Sequence, residues 1–236
     1  MKVLNNANLY LTERGQCAYL PDNISRHLIV EPDKLLNYDI YNTMINRGFR
    51  RSGTNLYRPW CDHCRGCVSV RVDVKQFATK RSQRRTQAKN KHLRIKRLPP
   101  ILHQEHFDLF KKYLSVRHPD DNMNQMNEAE YMEFLTCQWA QSSFFSFYDG
   151  DKLLCVSAVD QLKQGLSATY TFFDPDYSSN SLGVFSILSL IDLCKSLKLD
   201  YLYLGFFISN CEKMNYKQQY QPLEYYYDDM GWIQQK

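Results

Sequence analysis

The sequence predicts an α/β protein of the α+β type, in which a small Cys- and Arg-rich module over residues 1–77 precedes a mixed sheet flanked by helices over residues 78–236. Up to about Phe77 the chain is rich in Cys, Arg, Pro and Gly and lacks long apolar periods, so this module needs a cross-link or a bound group to hold it together. Beyond Pro99-Pro100, helical and strand patterns alternate. With 236 residues and 44% hydrophobic side chains, the chain can bury a core in one or two domains.

The first predicted elements of the second part are basic or amphipathic. Lys80–Asn90 is a helix that places cationic side chains three and four residues apart on one face. Leu93–Leu98 alternates apolar and basic side chains, which indicates a strand that the two prolines end. His103–His118 and Glu128–Ala140 have helical apolar spacing.

Three β-rich runs, Phe144–Tyr148, Leu153–Val159 and Leu166–Phe173, are joined by turn residues and predict an antiparallel meander. The helix Leu182–Leu197, with Ser181 as its N-cap, is apolar nearly all round and should be buried. The last elements are a strand over Tyr201–Ile208, a short helix near Lys213–Tyr220 and a strand around Leu223–Tyr227. This order is that of an N-acetyltransferase-like fold.

Positive charge is concentrated in one segment. The net charge is +5, yet Lys80–Arg97 contains nine basic residues and no acidic one, so the rest of the chain is net acidic. Such asymmetry suggests a polyanionic partner at a defined site. A solvated charged helix explains the same pattern equally well.

No apolar run is long enough to span a membrane, and the first residues lack the apolar core of a signal peptide. We therefore expect a cytoplasmic protein with no membrane partner, in which the eight cysteines are thiols or metal ligands rather than disulfides.

Cys61, Cys64 and Cys67 form a C-x-x-C-x-x-C pattern, and Cys17 could supply a fourth ligand from a distant loop. Thiolates so spaced can converge on zinc or an iron–sulfur cluster. The alternative is a set of reduced, partly buried thiols.

Other chemistries find little support. The sequence has no G-x-S-x-G elbow, Walker loop or G-x-G-x-x-G motif, and its six histidines are expected to be surface or loop residues. An acetyl-CoA site would need a Gly-rich turn before the buried helix, where only Gly183 is present.

The second part contains the predicted pocket. Asp174 follows a central strand that carries Tyr170, and backbone N–H groups at the start of the buried helix, at Ser181 and Gly183, could hold a phosphate or a carbonyl oxygen. Lys213 and Lys217 add two cations at i, i+4. For Asp174 and the two lysines a surface role remains equally open.

Taken together, ordered motifs over nearly the whole chain resemble the bacterial aspartate/glutamate leucyltransferases, the leucyl-tRNA-using branch of the arginyl-tRNA–protein transferase family. The motifs are Cys17-Ala18-Tyr19-Leu20-Pro21, Gly48-Phe49-Arg50-Arg51-Ser52-Gly53, Tyr57-Arg58-Pro59 with the three cysteines, Val70-Arg71-Val72, Arg81-Ser82-Gln83-Arg84-Arg85, Tyr170 to Asp176, Ser181-Leu182-Gly183, Tyr203-Leu204-Gly205, Lys213 to Lys217 and Pro222-Leu223-Glu224. Leu20 stands where eukaryotic arginyl relatives have the second cysteine of a C-x-x-C, which favours the bacterial branch.

The resemblance implies transfer of leucine from leucyl-tRNA to the α-amine of proteins that begin with Asp or Glu, which marks them for N-degron degradation, with no cofactor needed for the chemistry. On this hypothesis Arg50 or Arg51 reads the acceptor's acidic side chain, or else pins the Cys module or contacts the acceptor stem. Arg81, Arg84, Arg85 and Lys89 hold tRNA phosphates. Asp174 accepts the amine proton, Lys213 lies near the oxyanion or ribose, Tyr170 belongs to the catalytic group, and Ser181, Gly183 and Lys217 bind substrate.

Three alternatives remain. Arginyl-tRNA could be the donor in the same reaction. A metal-stapled nucleic-acid-binding protein without catalysis would explain the basic helix and the thiols but not the pocket motifs. An acetyltransferase of the same fold is disfavoured by the absent glycine turn.

Overall fold

The structure is a computed structural model and describes residues 8–31, 36–120 and 122–235. The first residues, on which the signal-peptide prediction rests, lie outside this part. The strands are β1 (Leu9–Leu11), β2 (Gly15–Gln16), β3 (Ile24–Ser25), β4 (His27–Val30), β5 (Arg50–Ser52), β6 (Asn55–Pro59), β7 (Val68–Asp73), β8 (Arg94–Leu98), β9 (Gln141–Asp149), β10 (Lys152–Gln161), β11 (Gly165–Phe173), β12 (Tyr201–Phe207), β13 (Leu223–Tyr227) and β14 (Gly231–Gln234).

The α-helices are α1 (Tyr38–Ile45), α2 (Arg81–Asn90), α3 (Gln104–Arg117), α4 (Glu128–Leu135), α5 (Leu182–Ser196) and α6 (Glu212–Asn215). Short 3-10 helices cover Asn122–Gln125, Pro175–Asn180 and Tyr216–Gln219. No helix in the described ranges is both long and apolar enough to cross a bilayer.

The main sheet has eight strands in the order β14-β13-β7-β12-β11-β10-β9-β8. The β9, β10 and β11 strands form the predicted antiparallel meander, and α5 then leads to β12, which runs parallel to β11. The prediction of a mixed sheet flanked by helices is therefore confirmed.

The two faces of this sheet are covered differently. On one face α5 buries Leu188 and Ile191 against strand residues such as Val72 and Leu202, and α2 packs outside α5. On the other face α3 and α4 cover the half that contains β9 and β10, where Phe110 packs near Phe172. The remaining half of that face lies under the N-terminal module.

The N-terminal module contains a four-stranded sheet in the order β1-β4-β6-β5, a two-stranded sheet of β2 and β3, and the helix α1. Asn37 caps α1 by accepting a hydrogen bond from the backbone N–H of Ile40 at 3.0 Å. Tyr41 of α1 is fully buried and packs with Tyr203 of the main sheet. Strand β7 also precedes the proposed boundary at residue 77, yet it pairs with β12 and β13, so the two parts share one sheet.

The central parallel pair opens into a fork. Strands β11 and β12 are paired only where Gly165–Ser167 faces Tyr201–Tyr203. Beyond that point they separate, and Gly205 takes a positive φ of 85° beside an irregularity in the pairing of β12 with β7. Residues 168–171 are half-buried although β11 is an internal strand. The fork is thus a gap in the strand pairing at the centre of the sheet.

One helix is shorter than predicted, and one predicted N-cap has an unexpected conformation. Helix α4 ends at Leu135 rather than at Ala140, because Thr136 is extended and its hydroxyl donates to the carbonyl of Met132 at 2.7 Å. Ser181 is the N-cap of α5, but in a left-handed conformation with φ 52° and with no side-chain capping bond.

Candidate functional site

Arg50 occupies the fork of the main sheet. Arg50 belongs to strand β5 of the sheet in the N-terminal module. Its Nη2 donates to the carbonyl of Ala168 in the main sheet at 3.1 Å, at the point where β11 separates from β12. On the β12 side is Gly205, where a Cβ would lie 3.6 Å from Nε of Arg50. Arg50 is 8% exposed, and its buried Nη1 has no partner within the described residues. The guanidinium therefore has an unused donor directed into a buried environment.

Lys217 is a second buried cation beside Arg50. It lies in the 3-10 helix after α6, is 4% exposed, and its ammonium donates to the carbonyl of Phe206 and contacts Sδ of Met214 at 3.5 Å. Burial, and next the charge of Arg50, lowers the pKa of Lys217 to about 7.

In the part of the chain that the structure describes, neither Arg50 nor Lys217 forms an ion pair with a carboxylate. Burying two neighbouring cations without a paired anion is costly, because desolvation and mutual repulsion act in the same direction, and a bound anion would favour the protonated form that Lys217 partly loses near pH 7. Arrangements of this kind are typical of sites that bind an anion. The fork is therefore chemically suited to a carboxylate or a phosphate.

Arg51 has the partner that Arg50 lacks. Its Nε and Nη2 donate to the two carboxylate oxygens of Asp160 at 2.6 and 2.7 Å, and Nη2 also donates to the carbonyl of Leu135. Tyr41 and Ser142 donate to the same carboxylate. Burial raises the pKa of Asp160, but Arg51 outweighs it and holds that pKa below its ordinary value. Arg51 thus pins the N-terminal module to β10.

Asp174 lies just beyond β11 and is tied to two lysines. Its carboxylate accepts from Lys112 at 2.6 Å, lies 3.6 Å from Lys152, and accepts from the backbone N–H of Asp176. Burial raises the pKa of Asp174, but the bond from Lys112 and the N–H of Asp176 lower it overall. A carboxylate so held is a weak base, and its role as proton acceptor stays a prediction.

The structure also describes Tyr170 and Lys213, the other residues predicted to be catalytic, and Gly183, which is predicted to bind substrate. Tyr170 of β11 is half-buried, with its ring 5.1 Å from that of Phe134. Lys213 is exposed on α6. Gly183 begins α5 beside Phe173, and a Cβ there would lie 3.3 Å from that ring. Their chemical roles stay predictions.

Helix α2 presents its four predicted cations to solvent, since Arg81, Arg84, Arg85 and Lys89 are all exposed. Lys89 also donates to the carbonyl of Ser179 at 2.9 Å, and Asn90 donates to the carbonyl of Asn180 at 2.8 Å. These bonds hold the basic helix against the segment that leads into α5. The last turn of the basic helix therefore lies beside the start of α5.

The four proposed metal ligands are free thiols in the N-terminal module. Cys17 accepts from the N–H of Leu20 and Cys64 from that of Gly66, each at 3.4 Å, while the thiol of Cys61 donates to the carbonyl of Arg26. Burial, with the neighbouring thiols, raises the pKa of Cys67 to about 12. Across residues 8–31, 36–120 and 122–235, no three His, Cys, Asp or Glu side chains are arranged to hold a metal.

Because Cys17, Cys61 and Cys64 all contribute to the raised pKa of Cys67, the four thiols lie near one another, although in the described residues they are not arranged as a metal site. The zinc or iron–sulfur hypothesis stays a prediction, and no step below depends on it.

Sequence reasoning missed the acidic partner of Arg51 and the lysines that hold Asp174. Asp160 carried a usable signal, because an acid within the apolar run of a central strand must be paired. Lys112 and Lys152 carried none, since each is one of many lysines in polar surroundings. The expectation that all histidines are at the surface is wrong for His106, which is fully buried.

Comparison with known proteins gives consistent results. The family model described as "Arginine-tRNA-protein transferase, N terminus" matches residues 15–85, and the C-terminal model of the same family matches residues 105–227. The aspartate/glutamate leucyltransferase of Alcanivorax borkumensis is 43% identical over 224 residues, covering 95% of this chain and 93% of that protein. The enzyme of the same name from Saccharophagus degradans is 38% identical and covers 99% of each chain.

Among solved structures, a C-terminal domain assigned to a lysylphosphatidylglycerol synthetase of Agrobacterium fabrum aligns with a TM-score of 0.47 and 12% identity. The alignment covers 73% of this chain and 53% of that one.

Proposed function

Because the chain belongs to the arginine-tRNA-protein transferase family, we propose that it transfers leucine from leucyl-tRNA to the α-amine of proteins that begin with Asp or Glu. The products carry a new N-terminal leucine, which on this proposal marks them for N-degron degradation. We place the reaction in the cytoplasm, where aminoacylated tRNA is available.

The observation that supports this function is the pair of buried cations in the fork. Arg50 offers an unused buried Nη1, and Lys217 lies beside it with no carboxylate of its own in the described ranges. A guanidinium and an ammonium together suit the side-chain carboxylate of an acceptor. An Asn or Gln side chain has no charge to offset, so it would leave both cations buried without an anion.

The reaction itself demands little of the protein. The leucyl ester is already activated, and the acceptor amine, with a pKa of about 7.7–8.0, is partly neutral near pH 7. The amine nitrogen attacks the ester carbon, a C–N bond forms, the bond to the ribose oxygen breaks, and the amine proton passes to that oxygen. Positioning of the two substrates should contribute most of the acceleration.

Residues of the fork and its surroundings are proposed for acceptor binding, stabilisation of the oxyanion and transfer of the proton. Arg50 and Lys217 hold the acceptor side chain, which fixes the α-amine nearby. The backbone N–H groups at the start of α5, near Gly183, can stabilise the oxyanion, since a helix N-terminus favours negative charge. Asp174 is the proposed relay, which takes the amine proton and passes it to the ribose oxygen; its low pKa suffices only because the amine is partly neutral beforehand.

The experiment compares peptides that begin with Asp and with Asn, using radiolabelled leucyl-tRNA as donor. We expect the unmodified protein to favour the Asp peptide strongly in kcat/KM. Arg50→Met should reduce that preference at least about 30-fold, since removing one partner of a buried charged pair costs roughly 2–5 kcal/mol. Lys217→Met should reduce it less, and Arg50→Lys should retain part of it.

Exposed Lys163→Met serves as the matched control and should leave the preference unchanged. Arginyl-tRNA and acetyl-CoA, tested as donors in parallel, should label no peptide. Leucylation of Asp and Asn peptides at equal rates, or labelling from either alternative donor alone, would refute the proposal.

A further inference from the structure

Apart from the fork, a cavity lies between the N-terminal module and the main sheet. It is a cleft of about 290 Å³, near the lower end of the volumes of small-ligand sites. On the module side it is lined by Arg58, Trp60 and Arg65, and on the sheet side by Phe206 and Tyr226. Cys67, one of the predicted metal ligands, also lines it, but no substrate-binding role assigned above uses this cleft.

The cleft adjoins the fork. Phe206, which lines the cleft, is the residue whose carbonyl accepts from Lys217. Its ring lies 5.8 Å from that of Tyr57, and Tyr57 is the strand partner of Arg50. A chain whose first side chain reaches Arg50 could therefore continue past Phe206 into the cleft, since each residue spans about 3.3–3.6 Å.

The walls of the cleft are preorganised. The guanidinium of Arg58 lies between the rings of Phe49 and Trp60, 5.1 and 4.8 Å from their centroids, and pairs with Asp228. The guanidinium of Arg65 lies 5.3 Å from the Trp60 centroid. Stacked planar groups of this kind provide rigid apolar surface for side chains and polar edges for a peptide backbone.

Charge and position favour a polypeptide in this cleft over RNA. The exposed carboxylates of Asp228 and Asp229 lie at its rim and offset the charges of Arg58 and Arg65, so the cleft has no net positive charge to attract phosphate, and Asp229 has no ion pair among the described residues. The basic helix α2 packs on α5, which covers the opposite face of the main sheet. The tRNA and the acceptor would thus approach the fork from different faces.

We propose that this cleft binds the residues that follow the acceptor's N-terminal residue, favouring apolar and basic side chains over acidic ones. The inference rests on the proposed function and extends it from the first residue of the acceptor to the next few. Trp60 supplies the contact surface, and Asp229 supplies the charge preference.

The test measures kcat/KM with saturating leucyl-tRNA for an Asp-Ala dipeptide amide and for Asp-initiated pentapeptides with Ala, Arg or Glu at the third and fourth positions. The Ala pentapeptide should exceed the dipeptide about tenfold, mainly through KM, and the Arg peptide should exceed the Glu peptide by a similar factor. Trp60→Ala should bring the pentapeptide-to-dipeptide ratio close to one.

Asp229→Lys changes only an exposed side chain, so it tests the charge preference without depending on the folding of a Trp60 variant. It should reverse the order of the Arg and Glu peptides, while Asp151→Lys, equally exposed on the β9–β10 turn, should not.

Equal efficiency of dipeptide and pentapeptides would overturn the inference and leave the proposed function intact. A Trp60→Ala protein with a raised KM for leucyl-tRNA would overturn it in favour of RNA in the cleft. If no peptide of any length accepted leucine, the proposed function would fail and the inference with it.

Discussion

Arg50 and Arg51 are adjacent and chemically identical, yet their surroundings give them different uses. Arg51 meets Asp160 in a bidentate pair whose two side chains are 1% and 0% exposed. Arg50 meets a carbonyl, a glycine and the neighbouring Lys217. The acid at position 160 therefore pairs with one arginine, while Nη1 of the other has no partner in the described residues.

The first residue-scale prediction concerns stability. Arg51→Met should lower the free energy of unfolding by about 3–5 kcal/mol, because it leaves the charge of Asp160 buried without its partner. Urea denaturation measures the change. Lys75→Ala, which removes the exposed ion pair with Asp200, is the control and should cost less than about 1 kcal/mol. A loss for Arg51→Met no larger than that of the control would contradict the structural role.

The second residue-scale prediction concerns pH. His106 is buried against Ser146, and burial, together with neighbouring His103, lowers its pKa from 6.5 to about 3. Below pH 6.5, His106 therefore binds a proton in the unfolded chain but stays neutral in the folded chain until the pH approaches about 3. Stability should decline as pH falls, with a slope from this group of at most about 1.4 kcal/mol per pH unit.

His106→Gln should remove that part of the slope, as measured by denaturation at about pH 7, 6 and 5. The matched control is His92→Gln at an exposed position, which should keep the slope of the unmodified protein. Identical pH profiles for the two variants would show that His106 titrates normally in the folded state.

At the scale of elements, α2 combines two functions. Its exposed cations form a basic surface, while Gln87 and Asn90 hold it to α5 and to the segment before α5. Because it is fixed at both places, its charge has a defined position relative to the fork. A merely solvated charged helix would not require this anchoring.

The element-scale prediction follows from that charge. Replacing Arg81, Arg84, Arg85 and Lys89 together by Ala should weaken tRNA binding and reduce the slope of log K against log salt by about 0.7–0.9 per lost phosphate contact. Binding titrations at several salt concentrations measure both effects. The double variant Lys75→Ala and Lys163→Ala, with two exposed lysines elsewhere, should keep the original slope. An unchanged slope in the quadruple variant would remove α2 from the tRNA interface.

At the scale of the whole molecule, the main sheet lies between the proposed tRNA surface and the proposed acceptor cleft, and the fork lies between two of its strands. The basic helix packs over α5 on one face, and the N-terminal module with its cleft covers part of the other. Strand β5 joins them, because it carries Arg50 from the module into the fork between β11 and β12. The module therefore completes the site as well as covering the sheet.

The sequence alone determined the elements of the second part, since apolar periodicity and turn residues act over short distances in the chain. The meander, the buried helix α5 and the basic face of α2 were all predictable in this way, and the family motifs identified the chain's relatives. The many short strands of the N-terminal module were not predictable, because two to five residues are too few to show a period.

Only the tertiary structure decided which of the buried charged side chains in the described residues form an ion pair and which do not. Arg51 and Asp160 are 109 residues apart, and Arg50 and Lys217 are separated by most of the chain. No local sequence pattern relates positions so far apart. Burial and pairing depend on which side chains meet across the sheet, and those contacts form only when the module folds onto it.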